Sequence, residues 1–173
     1  MGAAFCFWED TMYADRKQIR LVNFDYSSQG AYFITICSHD RKCTFGTVVP
    51  GDAFHSPMVR LSALGEVIRS NLDMIHDIYP DVRIEKSVIM PNHVHLLIIV
   101  CGVRGSVAKL DKMLIPKVIQ SFKASVTRQM PESKPIWQTR YHDHIIRDEQ
   151  DFQRRWMYID NNPTSWIEDR YYS

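Results

Sequence analysis

The chain has almost no excess of charge. Its 21 Lys and Arg stand against 20 Asp and Glu, a formal net charge of +1. No global field draws it to nucleic acid or a membrane, so any basic surface has to be local. Cysteine is sparse: Cys6, Cys37, Cys43 and Cys101, with no C-x-x-C pair. That argues against a disulfide framework or a thiolate zinc site and for reduced thiols in a cytoplasmic protein. No apolar run reaches the ~18–20 residues of a membrane span. Residues 1–10 lack the basic start of a signal peptide. The expectation is a cytoplasmic protein with no membrane partner. Repeats and low-complexity tracts are missing too. The 173 residues therefore read as one domain, with 1–30 as an N-terminal arm.

What is present centres on one stretch, Ser87 to Val100, an apolar run punctuated by Pro91-Asn92. It predicts strand, tight turn, strand. Side chains alternate across a strand, so His93 and His95 share a face. Two imidazoles on a core strand need partners, and a divalent metal supplies one. The lesser reading is a pair of hydrogen-bonded core histidines.

Around that stretch, Ala31–Cys37 is rich in β-branched and aromatic residues and predicts a strand. Residues 44–60, flanking Pro50-Gly51-Asp52, suggest an inserted hairpin. Ser62 opens a helix with Leu64, Val67, Ile68, Leu72 and Ile75 at helical spacing, ended by Pro80. Val82–Val88 is a strand, and residues 101–113 form a loop. Ile115, Val118, Ile119, Phe122 and Val126 mark a second helix. Residues 136–147 predict a further strand, and a third helix starts near Asp148 and ends at Asn161-Asn162-Pro163. This β-α-β-β-α-β order predicts an α+β, ferredoxin-like (RRM-like) antiparallel sheet with an added C-terminal helix.

On that last helix Phe152, Trp156 and Ile159 form the expected core stripe. Tyr158 and Asn162 are neighbours about 100° away, on a flank with Asp151 and Arg155. Alone, such a flank reads as a solvated one. Combined with His93 and His95, two imidazoles and an amide oxygen could hold Mg²⁺ or Mn²⁺. A tyrosine beside that ion could attack a phosphodiester and store the bond energy as a phosphotyrosine.

Several blocks carry a family resemblance. Val88-Ile89-Met90-Pro91-Asn92-His93-Val94-His95-Leu96-Leu97 resembles the histidine-hydrophobe-histidine (HUH) motif of the single-tyrosine transposases of bacterial insertion sequences. Arg16–Arg20 with Gly30–Cys37 resembles the N-terminal signature of the REP-associated tyrosine transposase branch. Trp137-Gln138 with Tyr141–Asp148 resembles its penultimate block, and Tyr158–Pro163 its nucleophile helix. The likeness spans Arg16 to Pro163.

The resemblance implies that Tyr158 is the nucleophile on single-stranded DNA, giving a 5′-phosphotyrosine and a free 3′-OH. It implies that His93, His95 and Asn162 bind the divalent ion, and that the substrate is a short hairpin beside a tetranucleotide cleavage site. It leaves two assembly states open, the homodimer of the insertion-sequence enzymes and a monomer.

The candidate DNA-binding cations are Arg16, Lys17, Arg20, Lys117, Lys123 and Arg155. Trp137 and Tyr141 are candidate base-stacking platforms, or equally core residues. Tyr141, Tyr171 and Tyr172 are the rival tyrosines. Two other functions compete. A second H-x-H pair, His142 and His144, would suit a metallohydrolase, but acidic ligands at catalytic-zinc spacing are lacking. A non-catalytic nucleic-acid-binding module would share the fold, but it needs no buried histidine pair.

Overall fold

Alternation along one strand sets the architecture. In β5 (His93–Val100) the residues Val94, Leu96, Ile98 and Val100 are buried in the larger apolar core, while Leu97 belongs to a second cluster. A strand with apolar residues on both sides has to be covered on both sides. The computed structural model describes residues 30–51, 56–101 and 114–166. The N-terminal arm with Arg16, Lys17 and Arg20, the 102–113 loop, and Tyr171 and Tyr172 lie outside the described residues.

β1 (Gly30–Cys37), β4 (Val82–Ile89), β5 and β6 (His142–Ile146) form one antiparallel sheet in the order β4-β5-β1-β6. That is the ferredoxin-like order, with the histidine strand central as its hydrophobicity requires. A separate hairpin, β2 (Gly46–Val49) with β3 (Met58–Leu61), fills the predicted insertion.

α1 (Ala63–Asp73) and α3 (Leu114–Gln129) cover one face through Leu64, Ile68 and Leu72 and through Val118, Ile119, Phe122 and Val126. Tyr32, Ile34 and Ile36 of β1 meet them there. The Ser62 side chain caps α1 by accepting from Gly65 N–H at 3.1 Å, worth about 1 kcal/mol. Gly65 is required by a close approach: a Cβ there would lie 2.1 Å from the Phe45 carbonyl oxygen. The helix expected to run to Pro80 is interrupted at Met74, and a single further turn, α2 (Ile75–Ile78), buries Ile75.

The other face carries α4 (Glu149–Ser165) on a small cluster of Phe33, Leu97 and Ile159, flanked by Val88, Ile146, Phe152 and Trp156. Two expectations change here. The strand over residues 136–147 is shorter: Trp137 makes only an isolated bridge to Ser38, and regular pairing starts at His142. The last helix does not stop at Asn161-Asn162-Pro163. It continues to Ser165, and the Trp166 N–H closes it on the Asn162 carbonyl. Pro163 removes only the bond its own N–H would make to Ile159, while buried Trp166 secures the extra turn.

Candidate active site

The register gathers the site onto the α4 face. β5 pairs with β1 so that His95 lies opposite Thr35, Leu97 opposite Phe33 and His93 opposite Cys37. β6 continues the rows, with His142 opposite Thr35 and His144 opposite Phe33. Cross-strand partners share a face. His93, His95, His142 and His144 therefore lie on the same face as Phe33 and Thr35, beneath α4.

The two imidazoles are buried, 7% and 5% exposed, with ring centroids 4.5 Å apart. Burial lowers the pKa of His93 to about 4. That value includes an opposing contribution from the Asn162 contact and a smaller lowering by the Arg41 charge. Burial also holds His95 well below the ordinary range, helped by His93 and Arg155. Both rings are neutral at pH 7, the form that donates a lone pair to a metal.

Their partners constrain the tautomers. His93 Nδ1 lies 2.7 Å from the Asn92 side-chain oxygen, which favours the tautomer that donates from Nδ1. A neutral ring has one proton, so Nε2 keeps a lone pair. That lone pair faces the Asn162 side-chain oxygen at 3.3 Å. A ring nitrogen and an amide oxygen at this separation are donors that a divalent cation could share. His95 Nδ1 is hydrogen-bonded to the Thr35 hydroxyl at 2.8 Å. Each imidazole is thus oriented through its Nδ1. Among the described residues, no three His, Cys, Asp or Glu side chains converge closely enough to hold a metal ion. The donor set here is two imidazoles and an amide oxygen.

α4 brings Tyr158 to the same place. Its ring is 44% exposed and packs edge-on to His95 at 5.2 Å and to Phe33 at 5.8 Å. Phe33 in turn stacks on His95 at 5.0 Å. The Arg155 guanidinium lies 5.2 Å from the Phe33 ring. Trp166 tilts against His93 at 5.7 Å. The flank of α4 is only partly solvated: Asp151 and Asn162 are buried, whereas Tyr158 is exposed.

The other candidate cations stand elsewhere. Lys117 and Lys123 belong to α3, across the sheet from Tyr158. The Lys123 ammonium donates to the carbonyls of Gln138 (2.5 Å) and Thr139 (3.2 Å). Trp137 packs between Phe45 and Phe122, and Tyr141 is buried in the main core, so neither is a stacking platform.

Sequence reasoning missed four participants. Thr35 and Phe33 are visible only through the strand register. Trp166 follows the expected end of the helix. Arg41 sits in the turn after β1, where Asp40 and Arg41 have φ of 53° and 55°, a conformation rare outside glycine. That turn is tied to the histidine hairpin by Ser38 N–H donating to the Asn92 carbonyl at 2.8 Å.

Comparison with known proteins agrees with the fold. The fold is that of a REP-associated tyrosine transposase solved bound to a REP hairpin: TM-score 0.57, 20% identity, covering 79% of this chain and 68% of that one. An uncharacterized protein of Haemophilus influenzae (strain KW20 / Rd) is 35% identical, over 91% of this chain and 93% of its own length. The chain belongs to one family with that Haemophilus protein. No family model matches the chain.

Proposed function

We propose that this protein is a metal-dependent, single-tyrosine transposase-type enzyme that nicks single-stranded DNA beside a hairpin and transfers the strand through a 5′-phosphotyrosine. The observation that carries the reading is the convergence of Tyr158, His93, His95 and Asn162 beneath one helix, with ring contacts of 5.2 Å and 4.5 Å and an amide contact of 3.3 Å. The approach of His93 Nε2 and the Asn162 oxygen beside His95 supports a cation site, and oxygen and imidazole donors suit Mg²⁺ or Mn²⁺. Bound there, the ion would polarise the phosphodiester and offset charge developing on its oxygens.

The residues of the chain do the rest. The Tyr158 oxygen attacks phosphorus and loses its phenolic proton to solvent. The bond from phosphorus to the 3′-oxygen breaks, and that oxygen takes up a proton as a free 3′-OH. A second 3′-OH attacking the phosphotyrosine reverses these roles and completes transfer. Arg41 and Arg155 bring positive charge to His93 and His95 respectively, the polarity a phosphodiester needs. The REP hairpin held by the structural neighbour makes hairpin DNA the first substrate to try. Among the described residues no helix is long and apolar enough to cross a membrane.

The test is covalent. Incubation with hairpin-flanked single-stranded DNA and Mn²⁺ should give a protein–DNA adduct on a denaturing gel. Tyr158→Phe should bind the DNA and give no adduct. An adduct at wild-type level from that variant overturns the nucleophile assignment. Cleavage products without attached protein would instead favour the metallohydrolase reading.

A further inference from the structure

Asp151 is the one buried carboxylate among the described residues. It sits in the first turn of α4, where its N–H donates to the capping Asp148 side chain at 2.7 Å. A carboxylate at a helix N-terminus is favourable, but that alone does not require burial. Its side-chain partners give a fuller account. One oxygen accepts from His144 Nε2 at 2.6 Å, and the other lies 3.4 Å from Arg155 Nε. Arg154 stands further off, at 3.7 Å, on an exposed side chain. Burial raises the Asp151 pKa, but the His144 hydrogen bond and the His144, Arg155 and Arg154 charges outweigh it, so the group stays ionised.

His144 belongs to β6 and lies opposite Phe33 in the register. Phe33 is the ring beneath Arg155, and it also contacts His95 and Tyr158. The path from the edge strand to the reacting centre is therefore short: His144, Asp151, Arg155, then the space over Phe33 beside Tyr158. Asp151 faces Arg155 at Nε in an ion pair without a hydrogen bond, and the guanidinium carries two terminal nitrogens beyond that contact. Those nitrogens are the fork that suits a phosphate.

We propose that Asp151, held by His144, is a positioning residue that aims Arg155 across Phe33 at the phosphodiester presented to Tyr158. The proposal rests on the strand-transfer reading and adds to it. It makes the second histidine pair part of the same device, with His144 as an anchor and not a metal ligand. The competing role for Asp151 is purely structural, tying the start of α4 to β6. That role predicts lost stability without a change in the rate of the folded enzyme.

The experiment uses the full chain, a hairpin-flanked single-stranded oligonucleotide and Mn²⁺. It measures the adduct rate at saturating DNA, the Kd for the oligonucleotide and the Tm. Asp151→Asn should slow adduct formation about tenfold or more while Kd moves less than about threefold, because aim is lost and gross binding is kept. His144→Gln should slow it in the same sense. The double variant Asp151→Asn/Arg155→Ala should be no slower than Arg155→Ala alone, since both substitutions remove one contribution. Asp151→Asn at the wild-type rate with a lowered Tm overturns the proposal in favour of the structural tie. Rate effects that multiply in the double variant also overturn it. Absence of adduct from the wild-type chain fails the strand-transfer reading itself, a result separable from either.

Discussion

The two faces of the central sheet are built to different rules. On the side of α1 and α3, β1 and β5 contribute Tyr32, Ile34, Ile36, Val94, Leu96 and Ile98, all fully buried among apolar helix residues. On the side of α4 the fully apolar contact shrinks to Phe33, Leu97 and Ile159, and polar side chains occupy the rest. His93, His95, Asn162 and Asp151 are buried there, each with a specific partner. One face supplies the hydrophobic free energy that holds the domain. The other uses that rigidity to keep costly polar groups in place.

The comparison is tested most strongly by exchanging damage between the faces. Replacing His93 and His95 together by Ala should reduce adduct formation to background while cooperative unfolding persists. Leu96→Ala, one residue away on the opposite face, should cost about 2–5 kcal/mol of stability. The adduct rate of its folded fraction should stay near wild type. Denaturant titration and the adduct gel on both variants would separate the faces. Equal activity losses at equal stability would refute the division.

Acidification is a milder version of the same experiment, because the buried histidines of the polar face resist protonation until the chain unfolds. His93 has a pKa of about 4 in the folded state, against an ordinary value of 6.5, and His95 is also depressed. Between those pH values the unfolded chain binds more protons, so stability rises with pH through the window and is lost as pH falls from about 6.5 toward 4. For His93 the loss is on the order of 3 kcal/mol at 1.36 kcal/mol per pKa unit. Chemical denaturation at pH 7 and pH 4.5 should reveal it. Replacing both histidines should flatten the profile.

The smallest effect distinguishes the helices. Ser62 caps α1 and Asp148 caps α4, each accepting one backbone N–H. Ser62→Ala and Asp148→Ala should each cost about 1 kcal/mol. Only the second should also slow adduct formation, since α4 carries Tyr158 and the Asp151 that Asp148 receives. Equal adduct rates in the two variants would show that the first turn of α4 is not coupled to the site.

The fold was legible because periodicity and burial agree along most of the chain. The H-x-H spacing placed both imidazoles on one face of a central strand, and helical spacing placed Tyr158 and Asn162 together on the side of α4 that meets them. What remained hidden depends on contacts between distant segments. Thr35 and Phe33 look like ordinary strand residues until the β1–β5 register sets them beside His95 and Leu97. Pro163 suggested a helix end, because local propensity carries no information about Trp166 packing behind it. Lys123 read as a phosphate contact on composition, whereas its ammonium is bonded to the carbonyls of Gln138 and Thr139.

β1 pairs with β5 on one side and with β6 on the other, and its successive residues serve opposite faces of the sheet. A single residue inserted near Ile34 would exchange those faces, placing Phe33 or Thr35 in the main core and leaving His95 without its hydroxyl partner. The reading frame of β1 is as fixed, residue for residue, as the identity of the histidines it faces.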